Sequence, residues 1–341
     1  MATEAETAAM RRALALAASP GVPVGPNPRV GCVLLDASGQ TVAEGRHRGA
    51  GTPHAEVDAL TQAGSRARGG TAVVTLEPCA HTGRTGPCSE ALVDAGVARV
   101  VFAQADTNPV ASGGAADLAA AGVDVEGGVL ADEAAALNVE WTHAVSTGRP
   151  FVTWKTATSI DGRVAAEDGT SRWVTGPRAR ADVHTWRARV DAVLVGTGTA
   201  LADDPALTAR RPDGSLAARQ PLRVVMGERS LPPTARVLSD DAPSLLLRTR
   251  DPREALGELR DRDVQHVYLE GGPTLAGAFV AADLVDRVIC YTAGLLLGAG
   301  PSALAESGVR TLDEAPRLRI TETALVGDDV RIVAEREPRR D

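Results

Sequence analysis

Three residues from well-separated segments constrain this chain more than any others: His54, two before Glu56; Cys79, after Pro78; and Cys88, after Pro87. One imidazole and two thiols are the donors of a zinc centre that leaves its fourth position to water. A nearby carboxylate that binds no metal can then move that water's protons. To bring the three together the chain must set strand ends beside helix starts. Residues 54–63 read as a helix closed by Gly64, 71–76 as a strand, and 87–95 as a helix closed by Gly96. His54 and Cys88 therefore open helices, where partial positive charge favours the thiolate that zinc needs. At a first turn, one of His54 and Glu56 can ligate while the other leans over the open position. His54, Cys79 and Cys88 are the expected ligands, and Glu56 the expected proton carrier. A fourth protein donor, for which His81 is the nearest residue, would make the site closed and structural instead.

The flanking sequence alternates helices and strands. Thr3 caps a helix over 4–18; strands are expected at 30–35 and 41–44, joined by a turn at Ser38-Gly39, and again at 99–103 and 123–125. Helices are expected near 115–121 and, unbroken, over 131–146. That alternation predicts an α/β sandwich on a largely parallel sheet. Small polar residues over 146–150 mark a boundary, which gives domains 1–147 and 150–341. The second half has strand patterns at 151–156, 192–196, 222–226, 244–247, 266–270 and 288–292.

A net charge of −8 argues against nucleic acid as a partner, since that binding needs a basic surface. No run of about 18 apolar residues is present, so no membrane span is expected, and the acidic N-terminus does not read as a signal peptide. Four cysteines in 341 residues are no disulfide framework, and cytoplasmic residence is expected. Cys32 and Cys290 sit in apolar runs and read as buried core residues. Lys155 is the sole lysine among 36 Lys and Arg, which marks it for a role that needs a compact donor of tunable pKa.

The stretches Pro26-Asn27-Pro28-Arg29-Val30-Gly31-Cys32-Val33, His54-Ala55-Glu56-Val57 and Thr75-Leu76-Glu77-Pro78-Cys79-Ala80-His81-Thr82-Gly83-Arg84-Thr85-Gly86-Pro87-Cys88 resemble the deaminase half of the bifunctional riboflavin-biosynthesis deaminase/reductase family. The eight residues between Cys79 and Cys88 match that family's spacing. The resemblance implies a cytidine-deaminase-like αβα sandwich, with Asn27, His47, His81, Arg84 and Asn108 contacting substrate. Trp154-Lys155-Thr156-Ala157-Thr158-Ser159-Ile160-Asp161-Gly162-Arg163, the blocks 170–175 and 195–208, and Leu269-Glu270-Gly271-Gly272-Pro273-Thr274-Leu275 resemble the reductase half, whose fold is similar to dihydrofolate reductase. There the resemblance implies NADPH along Thr158, Trp173, Thr199, Asp203 and a phosphate loop of Gly272, Pro273, Thr274, Leu275, Ala276, Gly277 and Ala278. It sets Ser171, Arg187, Leu207, Arg210 and Glu270 against the substrate, with Lys155 as a candidate catalytic residue. Two departures stand out: Asp106-Thr107-Asn108-Pro109 where the family has Asp-Pro-Asn-Pro, and Gly227-Glu228 where it has Asp-Ser.

The expected function is two-step. Zinc-dependent hydrolysis deaminates a diaminopyrimidinone ribosyl phosphate, and NADPH then reduces the ribosyl chain to ribityl. The competing expectations are a deaminase with a degenerate reductase half, motivated by Glu228, and an assembly protein with structural zinc. Expected partners are the small-molecule substrate and further copies of the chain, as a dimer or tetramer.

Overall fold

The computed structural model describes residues 1–19, 25–81 and 86–336. The chain forms two compact units, Met1–Gly148 and Arg149–Asp341.

In the first unit α1 (Glu4–Ala17) begins with a capping box. The Glu6 N–H donates to Thr3 Oγ1 at 3.2 Å and the Thr3 N–H to Glu6 Oε2 at 2.7 Å, which satisfies two otherwise orphaned donors. Next come β1 (Gly31–Leu35), β2 (Thr41–Arg46), α2 (Ala55–Ala63), β3 (Thr71–Leu76), α3 (Cys88–Asp94), β4 (Arg99–Gln104), α4 (Gly114–Ala120), β5 (Asp124–Gly127), α5 (Ala131–Leu137) and α6 (Val139–Thr147). The sheet order is β2-β1-β3-β4-β5. It is mixed rather than largely parallel: β1 runs antiparallel to both β2 and β3, and only β3, β4 and β5 are mutually parallel. The short turn after β1 returns the chain at once, whereas helix crossovers after β3 and β4 keep direction. Helices cover both faces. Ala55, Ala59 and Leu92 join one buried cluster with Cys32, Leu34 and Val74; Met10 and Ala13 join the other with Val33, Val73 and Val101. The expected single helix over 131–146 is two helices, broken at Asn138. The buried Asn138 side chain is committed elsewhere: its Oδ1 accepts from the Arg29 N–H at 2.8 Å and its Nδ2 donates to the Arg29 carbonyl at 2.9 Å.

The second unit contains β6 (Phe151–Ser159), α7 (Pro177–Arg187), β7 (Ala192–Gly196), α8 (Thr197–Asp203), β8 (Leu222–Met226), β9 (Ser244–Leu247), α9 (Pro252–Arg260), β10 (His266–Leu269), α10 (Pro273–Ala281), β11 (Arg287–Ala293), β12 (Leu318–Val326) and β13 (Asp329–Arg336). Its sheet runs β12-β13-β11-β6-β10-β7-β8-β9. All neighbours from β11 to β9 are parallel; β13 joins β11 antiparallel and β12 joins β13 antiparallel. Alternation along β10 shows how the faces divide. Val267 and Leu269 pack with Leu256 and Phe279 of α9 and α10, while Tyr268 packs with Ala179 and Val183 of α7. Each such apolar side chain, fully buried, stabilises by roughly 1.5–3 kcal/mol. The carboxyl ends of β6, β10, β7 and β8 line up along one edge, where open α/β sheets bind ligands.

Candidate functional sites

β3 delivers Cys79 through the loop at its carboxyl end, His54 caps the N-terminus of α2, and Cys88 is the first residue of α3. His54 Nδ1 lies 3.2 Å from Cys88 Sγ and 3.6 Å from Cys79 Sγ, and the three ligand atoms all fall within 4.8 Å of one another. Among the described residues His81 is not part of this cluster. The donor set fits zinc, and so does its electrostatics. The contact between the two sulfurs favours ionisation of one thiol, Cys79, and together with burial drives the other, Cys88, up. Two sulfurs so close cannot both ionise unless a cation sits between them. Glu56, in the first turn of α2, is only 4% exposed, and burial raises its carboxyl above the usual range.

Asn27 and His47 meet beside this cluster. Asn27 Nδ2 donates to His47 Nε2 at 3.0 Å, and His47 Nδ1–H donates to the Pro53 carbonyl at 3.0 Å. Burial lowers the His47 pKa, and its ring stands edge-on to His54 at 5.4 Å. Asn108 lies in a loop whose Ala111 packs against Cys79 and Cys88. Its Oδ1 accepts from the Val110 N–H at 3.1 Å. Arg84 lies outside the described residues.

In the second unit Lys155 on β6, Glu270 after β10 and Arg187 at the end of α7 are mutual electrostatic neighbours. Arg187 grips Glu270 with two bonds, Nε to Oε1 at 2.6 Å and Nη2 to Oε2 at 2.9 Å, in the two-pronged geometry that suits guanidinium and carboxylate. Burial lowers the Lys155 pKa; Glu270 opposes that shift and Arg187 adds to it. For Glu270 burial acts upward, but Arg187 outweighs it and the pKa ends below the usual value. His184, one turn before Arg187, is a member of this group that the motifs did not single out. Its Nδ1–H and Arg187 Nη1 both donate to the Thr208 carbonyl, at 3.1 and 3.2 Å. Burial, then Arg187, lowers the His184 pKa, and Arg210 is also within its electrostatic reach. Helical spacing on α7 was the signal available for it.

Leu207 departs from expectation. Its side chain is 2% exposed within the core cluster, and a backbone φ of 53° puts it in the left-handed region. Arg210 Nη1 is held by the Gly214 carbonyl at 2.9 Å.

Along the edge where the cofactor is expected, the Gly272 N–H donates to Thr199 Oγ1 at 3.3 Å, which joins the start of α10 to α8. Thr158 is buried, with Oγ1 3.8 Å from Cys290 Sγ. Cys290 is itself only half-buried, not a core residue as expected, because it lies with Val288 and Thr292 on the less buried face of β11. Trp173, 67% exposed, lies under the Arg180 guanidinium at 4.6 Å, and the preceding residues Ser171 and Arg172 lead to Asp203, with which Arg172 pairs at 3.6 Å. Of the seven residues expected to form a phosphate loop, Gly272, Pro273, Thr274 and Leu275 stand at the start of α10. Ala276 and Gly277 are buried on its packed face, and Ala278 follows one turn in. The first turn leaves N–H groups free for an anion, which fits a dinucleotide phosphate. Gly227 has φ of 133°, and a Cβ there would approach Thr197 Oγ1 to 2.7 Å, so any side chain at this position would be strained and would displace Thr197. Glu228 is exposed, and Arg248 Nη1 donates to its backbone carbonyl at 2.9 Å.

Residues 3–104 match the family model for the cytidine and deoxycytidylate deaminase zinc-binding region, and residues 150–332 match the RibD C-terminal domain. The chain is 52% identical over 306 residues to the riboflavin biosynthesis protein RibD of Mycobacterium tuberculosis (strain ATCC 25618 / H37Rv), covering 89% of this chain and 90% of that one. It is 41% identical over 357 residues to RibD of Escherichia coli (strain K12), covering 94% and 96%. Among solved structures, Acinetobacter baumannii RibD, form 1, superposes with a TM-score of 0.89 at 38% identity, covering 98% of this chain and 99% of that one. A chain this similar to RibD proteins along both of its units belongs to the bifunctional riboflavin-biosynthesis deaminase/reductase family, which joins a zinc-dependent hydrolase to an NADPH-dependent oxidoreductase.

Proposed function

We propose that residues 1–147 deaminate the diaminopyrimidinone ribosyl phosphate through Glu56, beside zinc held by His54, Cys79 and Cys88, and that residues 150–341 reduce the product through Lys155. The observation that carries this reading is the buried Glu56 carboxyl in the helix turn that His54 caps, next to a three-donor cluster. Zinc in that cluster supplies the Lewis acidity that makes water nucleophilic near neutral pH. Glu56 takes a proton from the attacking water and passes it to the ring nitrogen as the oxygen bonds the ring carbon; it then carries the second water proton to the amino group, so that the C–N bond breaks, ammonia leaves and the carbonyl forms. A carboxyl raised by burial is suited to hand the proton on, because its affinity for it is closer to that of the ring. Asn27, held by His47, orients the pyrimidine edge; His81, Arg84 and Asn108 complete the contacts.

In the second unit NADPH supplies the hydride, and this chain's residues place the sugar. Lys155 hydrogen-bonds the ribose and gives the proton its ring oxygen needs as the ring opens. Arg187 spends three of its donors on Glu270 and Thr208, so it orients Glu270 toward the substrate, while Arg210 keeps donors for the phosphate. Ser171 and the Leu207 main chain line the same side. Thr158, Trp173, Thr199, Asp203 and the start of α10 hold the cofactor, and Arg248 partly offsets the charge of Glu228. Neither the deaminase-only nor the structural-zinc reading is retained, since the similarity spans both units and the cluster has three donors.

The protein acts in the cytoplasm on a small molecule and assembles with copies of itself as a dimer or tetramer. Among the described residues no helix is long and apolar enough to cross a membrane. Edge strand β12 exposes Ile320 and Leu325 at 60% and 80%, apolar surface of the kind that pairing between copies covers. Mass spectrometry of the substrate incubated with zinc-loaded protein tests the chemistry. Amino-to-oxo exchange is expected without NADPH, and a further gain of two hydrogens with it. Exchange that required NADPH, or hydride uptake without prior exchange, would contradict the proposed order.

A further inference from the structure

Glu77 stands two residues before the ligand Cys79, and its carboxylate reaches across to another loop. Oε2 accepts from the Asp106 N–H at 3.1 Å, and Oε1 accepts from the N–H groups of Gly113 and Ala115 at 3.2 and 3.1 Å. These three bonds bracket the loop that carries Asn108. The main chain adds two more ties, Glu77 N–H to the Gln104 carbonyl at 2.8 Å and Ala80 N–H to the Ala111 carbonyl at 2.9 Å. At the far end of the loop a Cβ on Gly114 would fall 1.8 Å from the Pro78 carbonyl, so the loop is pressed against the ligand segment itself. Ala111 then packs on both sulfur-bearing residues.

We propose that Glu77 is a positioning residue for deamination: it clamps the Asn108 loop to the Cys79 segment and so fixes the distance between the substrate contact and the reacting water. The proposal rests on the reading of Asn108 as a substrate contact. Charge-assisted bonds to backbone N–H groups are the stronger kind, and three from one carboxylate hold positions 106, 113 and 115, on either side of Asn108. Bound substrate must sit within a fraction of an ångström of the attacking geometry, and a loosened loop forfeits that. None of these bonds reaches a ligand atom, so the clamp acts on substrate placement and not on metal capture.

The test uses the full chain with Glu77→Ala, Glu77→Gln and Asn108→Ala. Zinc per chain, KM and kcat for ammonia release, and reduction of the deaminated product are measured for each. Glu77→Ala is expected to keep its zinc and its reductase rate and to lower the kcat/KM of deamination by about ten-fold to a hundred-fold. Glu77→Gln should lower it less, because an amide oxygen still serves Gly113 and Ala115. Full zinc with an unchanged kcat/KM in Glu77→Ala overturns the proposal, as does loss of zinc in both Glu77 variants, which would make Glu77 a mere support of the metal site. A kcat/KM lowered by Asn108→Ala alone overturns the clamp. One lowered by Glu77→Ala alone removes Asn108 from the substrate and overturns the proposal with it.

Discussion

Glu56 differs from the chain's other acids in being buried in the turn that follows a ligand, and its proposed work needs a proton acceptor there. Glu56→Gln preserves shape and removes that capacity. It should keep zinc and lose deamination by about 10²–10⁴-fold, read from ammonia release beside metal analysis. Lys155 invites a pH measurement. Burial lowers its pKa from the 10.5 of a free lysine, so the reduction rate should fall with rising pH along a limb below that value. Lys155→Arg should abolish the limb, because guanidinium stays charged throughout, whatever it does to the rate. These residues were legible because ligand spacing and rarity announce them. Glu77 was not, because it bonds backbone groups 29 or more residues away and no local pattern records such bonds; His184 offered only its helical spacing from Arg187. The burial and left-handed backbone of Leu207 were not legible, since they show only in three dimensions.

At the scale of elements, α1 shows how one acid can do two jobs. Glu6 closes the capping box and also takes Arg99 of β4, Nε to Oε1 at 2.7 Å. Burial pushes its pKa up, but the bonds from Arg99 and Thr3 outweigh that and leave it lowered. A lowered folded value means stability that is present above the unfolded carboxylate pKa of about 4.3 and lost as pH falls through the folded one. Glu6→Gln should therefore cost about 1–3 kcal/mol near neutrality and progressively less below pH of about 4, seen in denaturant melts at several pH values. Asn138→Ala, which leaves the Arg29 backbone groups without their bracket, should destabilise the first unit by about 1–3 kcal/mol. Most elements could be read from apolar runs and glycine stops. The break at Asn138 could not, because the bond that causes it reaches residue 29. β12 was missed because most of its residues are exposed on both faces, so no alternation marks it.

At the scale of the whole molecule, two activities with different cofactors are carried by two separately packed units. Prolonged chelation should abolish ammonia release while leaving NADPH oxidation with the deaminated product intact, and added zinc should restore the first; a spectrophotometric assay of each step decides it. Division into two α/β units was legible from the boundary near residue 148, but the mixed first sheet was not, because strand direction depends on connections rather than composition. The second sheet has a temporal consequence. β13 pairs with β11 over residues 329–335 and carries the sheet's antiparallel margin. At ribosomal speeds of about 5–20 residues per second, the segment that finishes this sheet emerges roughly 10–40 s after the first unit's last helix. The hydrolytic half can thus ripen while its companion is still being threaded out. A nascent chain stalled in that interval would carry the earlier reaction without the later one.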